Sequence, residues 1–130
     1  MEEKRDFYKE VEGICVKDNR YKPDVYEFVF QALRFTQGKL QKEGHLTGVE
    51  LSRGLRDFAI EQYGPLAMTV LNHWGAFKTQ DFGSIVFNMI DARLLAKTET
   101  DRLDDFVNVY DFKEAFGNVL GDSLMNDKEF

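Results

Sequence analysis

Cysteine is nearly absent from this 130-residue sequence. Its single copy, Cys15, rules out an internal disulfide and a Cys-rich zinc site, and fits a reducing compartment. Histidine is almost as scarce: His45 and His73 are the only two, and neither has a second ligand at the i, i+4 spacing of a helical metal site. No stretch approaches the roughly 18 apolar residues of a membrane span, and the opening MEEKRDFYKEVEG has no apolar signal-peptide core. A cytoplasmic chain, neither exported nor inserted in a bilayer, is the expectation. Prolines number only two, unlike a disordered or fibrous composition. The G-x-S-x-G, H-E-x-x-H, P-loop and G-x-G-x-x-G patterns are missing as well, which removes the easily recognised enzyme classes. No cofactor or metal is implied.

Aromatics are what the chain has in quantity. Twelve Phe, five Tyr and one Trp promise a ring-rich core. With 43% hydrophobic and 31% charged residues, the composition is that of an ordinary globular protein. The length suits one domain, expected over residues 1–120 with 121–130 as a flexible tail. The net charge of -6 is unevenly spread: residues 1–96 hold 13 basic and 14 acidic side chains, and residues 97–130 hold 4 and 9. That acidic C-terminal third opposes contact with phosphate backbones and anionic lipid.

Helical periodicity dominates the pattern. Phe7, Tyr8, Val11, Ile14 and Cys15 mark a first amphipathic helix over residues 4–17, with Cys15 as a small core thiol. Asp24 and Glu27 spell a capping box for a second helix that is apolar almost all round. Thr47 and Glu50 spell another, flanked by Leu46 and Leu51 as a hydrophobic staple, and that helix runs to Gly64. Pro65 then suits the first position of a short helix ending at Gly75. Trp74, on its stripe, is expected to be buried against Phe82 and Ile85 of the next helix, for which Thr79 is the expected N-cap. Phe82, Ile85, Val86, Met89, Ile90 and Leu94 make that helix the cleanest stripe in the chain.

Beyond residue 94 the period changes. Residues 95–98 and 106–110 flank the polar ETDRLDD, and Phe106, Asn108 and Tyr110 alternate with Val107 and Val109, so a small β-hairpin is expected. Asp111 and Glu114 then cap a final helix carrying Phe112, Ala115 and Phe116. The expected class is mainly α with a small hairpin (α+β), a helical bundle incorporating a winged-helix-like unit over about residues 47–110. The hairpin's Glu99, Asp101, Asp104 and Asp105 lack the order of a calcium loop and read as a solvated turn. Asp81-Phe82-Gly83 matches a kinase triplet by coincidence: Asp81 suits a helix's first turn, and Gly83 would let a neighbouring element come close.

The segments HLTGVELSRGLRDFA, YGPLAMTVLNHWG and TQDFGSIVFNMI resemble those of a bacterial family of conserved uncharacterised proteins of about this length. The resemblance runs from about Tyr8 to Phe116 and implies no activity, so it supplies no catalytic residues. Gln80, Ser84, Phe87, Asn88 and Asp91, on the helix from Thr79, form the candidate interaction surface. A winged helix would read DNA with such residues, but Pro65 to Phe112 carries four basic and seven acidic side chains, which duplex phosphates would repel. A protein partner is therefore expected ahead of DNA. His45 and His73 are the only candidates for chemistry, and each is better read as a hydrogen-bonding or packing residue at a helix end.

Overall fold

The computed structural model describes the backbone of residues 2–96 and 103–117, with side chains from residue 6 onward, and every regular element among them is helical. The order is α1 (Glu2–Lys17), α2 (Pro23–Leu40), α3 (Gly48–Tyr63), a 3-10 turn (Gly64–Leu66), α4 (Ala67–His73), α5 (Thr79–Asp91) and a second 3-10 turn (Leu103–Phe106). Residues 112–117 are helical too. The expected tail lies outside the described residues.

The local signals at two helix ends act as the sequence implies. Thr47 caps α3: its hydroxyl accepts from Glu50 N–H at 3.0 Å, and Glu50 Oε1 accepts from Thr47 N–H at 2.9 Å. At the end of α4, Gly75 adopts φ 99°, Ala76 N–H donates to Leu71 C=O at 2.9 Å and Gly75 N–H to Asn72 C=O at 3.0 Å. This left-handed cap suits glycine doubly, because a Cβ there would also overlap the Arg20 carbonyl.

Helix α2 runs through the core, burying Val25, Tyr26, Phe28, Val29, Ala32 and Thr36. It crosses α3 at very short range, since a methyl on Gly54 would overlap the Thr36 side chain. Rings fill the rest of this seam. Phe28 packs on Phe58 at 5.2 Å and on Trp74 at 5.3 Å, and Trp74 meets Tyr63 edge-on at 5.9 Å. Trp74 is thus buried, but its ring partners lie on α2 and α3, not on α5. A second aromatic group joins Phe82 of α5 to Phe112 at 5.6 Å and, through Phe112, to Phe116.

The expected β-hairpin, and with it the α+β class and the winged-helix-like unit, is not what the chain forms. No strand exists among the described residues. Residues 103–106 wind into a 3-10 turn, and Asn108 follows with φ 51°, a left-handed conformation that a strand cannot hold. The backbone groups that a partner strand would have bonded go to one side chain instead. Thr79 Oγ1 donates to Phe106 C=O at 2.6 Å and accepts from Val109 N–H at 3.2 Å. Phe106 sits buried against Gly83, whose missing side chain leaves room for the ring, as the sequence suggests.

Two expected caps also change hands. Thr79 is the first residue of α5 rather than its cap, and Asp81 reaches back to accept from Phe77 N–H at 2.8 Å and Lys78 N–H at 3.2 Å. At α2 the cap position is Lys22, with no side-chain bond, because Pro23 opens the helix and leaves one N–H fewer to satisfy. Glu27 is then free to accept from Tyr8 Oη at 2.8 Å, which ties α1 to α2.

Candidate docking cleft

The residues singled out on α5 do not share one free face. Gln80 donates to Asn108 at 3.5 Å, Ser84 bonds back to the Gln80 carbonyl at 3.4 Å, and Phe87 packs partly on the core. Asn88 is engaged twice: its Nδ2 donates to Asp18 Oδ2 at 2.9 Å and to Tyr26 Oη at 3.1 Å. Asp91 alone of the five is exposed. The polar side of α5 is therefore, in large part, a seam closed by the α1–α2 connection. Tyr21 completes it by donating to Asp81 at 2.7 Å.

Electrostatics follow from this seam. Arg20 grips Asp18 through Nε at 2.9 Å and Nη2 at 2.8 Å, which holds the Asp18 carboxyl well below the usual carboxylate range against the opposing effect of burial. Burial pushes the Tyr26 phenol up to about 12, and it raises the Tyr21 phenol as well. Cys15 points its thiol at the Tyr21 carbonyl, 3.8 Å away, and burial raises it above the ordinary thiol value, the opposite of an activated nucleophile. His73 is exposed at the end of α4, and half-buried His45 lines a small crevice of about 280 Å³ with Leu46 and Leu51. Among the described residues no three His, Cys, Asp or Glu side chains gather to hold a metal.

Two of the five α5 residues, Asn88 and Asp91, do line a cleft of about 950 Å³. Its long wall is α1, which contributes Asp6, Phe7, Glu10, Gly13, Ile14 and Lys17, a set spaced at three and four along one helix face. Phe30 of α2 supplies part of the floor, and the end of α5 the opposite wall. That end is shaped by Arg93, a non-glycine residue at φ 62°, with Arg93 N–H donating to Ile90 C=O at 2.9 Å and Leu94 N–H to Met89 C=O at 2.8 Å. The turn carries Leu94 into the cleft. A second cleft of about 700 Å³ shares Phe30 and Leu94 with the first.

Sequence reasoning reached only Asn88 and Asp91 of this site, because the α1 wall lies more than 70 residues away in the chain. The one signal present was on α1, where Asp6, Glu10, Gly13 and Lys17 form a second, mixed stripe beside the apolar one. Compared with known proteins, the chain matches no family model, no curated protein and no solved structure. Among the described residues no helix is long and apolar enough to cross a membrane.

Proposed function

We propose that the chain is an intracellular protein-interaction module or a small subunit of an assembly, of the bacterial kind its three resembling segments imply, with partners docking in the cleft between α1 and α5. The observation that carries this reading is the contrast within one neighbourhood. The polar groups of the Asp18–Arg20–Asn88 seam satisfy one another, whereas Asp6, Glu10 and Asp91 on the adjoining cleft have no hydrogen-bond or ion-pair partner among the described residues. They surround half-buried Phe7, Phe30 and Leu94, and a large concave surface with an apolar floor and a polar rim is a common form of docking site.

Affinity capture from cells that express the chain natively, with wild type and Gly13→Trp in parallel and mass spectrometry as readout, tests the proposal. Gly13 lines the cleft, and a Cβ there meets nothing within 4 Å, so this wall has room for an added side chain. Proteins recovered with wild type should be lost with the variant. Identical recoveries from both would contradict the assignment of the cleft.

A further inference from the structure

We propose that the occupant of the cleft is a second copy of this chain, its α1 laid antiparallel along the first copy's α1; this rests on the docking reading above and names the partner. Asp6, Glu10, Gly13 and Lys17 form one exposed stripe along α1, and none of its three charged side chains has a hydrogen-bond or ion-pair partner among the described residues. The stripe is acidic in its first half and basic at its end. Two such stripes side by side in the same direction would set like charge against like. Turned antiparallel about a twofold axis level with residues 11 and 12, they place Asp6 of each copy opposite Lys17 of the other. The order of charge thus selects the orientation, and the twofold makes each favourable pair occur twice.

Gly13 points the same way independently. A glycine inside a helix weakens it relative to alanine, and nothing in the fold asks for one here: the backbone is helical, and a Cβ would meet nothing within 4 Å. In the antiparallel pair Gly13 of each copy lies opposite Glu10 of the other, near the middle of the contact. A missing side chain at that point lets the two helix axes come close.

The rest of the rim agrees. The end of α5 brings one charge of each sign, Asp91 and Arg93, and the Arg34 guanidinium lies over the Phe30 ring at 5.2 Å, while Asp18 is already held by Arg20. Asp6, Glu10 and Asp91 are therefore matched by Lys17, Arg93 and Arg34. A rim balanced in this way favours neither a basic nor an acidic partner, and it suits a surface that pairs with its own copy. The net charge of -6 repels at long range, an effect that physiological salt screens beyond about 8 Å. One helix face from each copy is a small interface, so the pair should form at about 100 μM and part on dilution.

Sedimentation equilibrium of the full chain, at about 0.15 M salt and from about 5 to 500 μM, tests this directly. Wild type should pass from monomer to dimer over that range. Lys17→Glu sets two acidic stripes against each other and should weaken the dimer roughly tenfold, and Gly13→Trp should do the same by adding a large side chain to the contact. Asp6→Lys/Lys17→Glu exchanges the charges within one chain and should restore the dimer, a rescue that a folding defect cannot mimic; circular dichroism checks each variant. A wild type that stays monomeric throughout would exclude the second copy and leave the docking cleft to be decided by the affinity capture. A dimer unchanged by Lys17→Glu and Gly13→Trp would place self-association elsewhere on the molecule, and loss in Lys17→Glu without rescue by the exchange would overturn the antiparallel register.

Discussion

Thr47 and Thr79 both stand at the start of a helix, yet their hydroxyls do different work. Thr47 satisfies an N–H of its own helix at an exposed position, so Thr47→Ala should cost about 1 kcal/mol. Thr79 is fully buried and holds Phe106 C=O and Val109 N–H of the 103–110 segment. Thr79→Val keeps the shape and strands both groups, for which about 1–3 kcal/mol is expected. Urea denaturation of the two variants side by side checks the ordering, and a Thr79→Val midpoint equal to wild type would remove Thr79 from this role. At Asp18 the sign of the pH effect follows from its depressed carboxyl. The unfolded chain takes up that proton first as acid is added, so the stabilisation is complete above the ordinary carboxylate range, about pH 4, and is lost as the pH falls below it. Asp18→Asn should therefore flatten the acid limb of a plot of urea midpoint against pH; an unchanged limb would show that the Arg20 grip does not contribute.

At the scale of elements, one substitution should have opposite signs on two helices. Gly13 lies on an open face of α1, where alanine meets nothing and gains helix propensity, so Gly13→Ala should stabilise by up to about 1 kcal/mol. Gly54 lies where α3 crosses α2, and Gly54→Ala forces a methyl into Thr36, for which about 1–3 kcal/mol of destabilisation is expected. Thermal melts decide both, and equal shifts in one direction would contradict the crossing. These two glycines also show what the sequence could reveal. The stripe of α5 and the caps at Thr47 and Gly75 were legible because each depends on residues within a few positions. The roles of Thr79, Gly54 and Asn88 were not, because their partners lie 27, 18 and 70 residues away. The alternation over 106–110 misled for a different reason. Five residues of period two are also compatible with a turn, and the left-handed Asn108 leaves no trace in a hydrophobic pattern.

For the whole molecule, the fold uses its polar side chains unevenly. The α1–α2 connection and α5 close on each other through Asp18, Tyr21, Asp81 and Asn88, and beside this seam the α1 wall and the end of α5 are left apart as a cleft with rim charges of both signs. That division opposes the reading in which the polar face of α5 from Gln80 to Asp91 is one contact surface. The two differ in where a ligand should be felt. The most direct measurement is a two-dimensional NMR titration of the isotope-labelled chain with a partner recovered by the affinity capture, following every backbone amide. Shifts should concentrate on residues 6–17 and 91–94 and leave Gln80, Ser84 and Asn108 unmoved; shifts centred on Gln80 and Ser84, with α1 silent, would contradict the account.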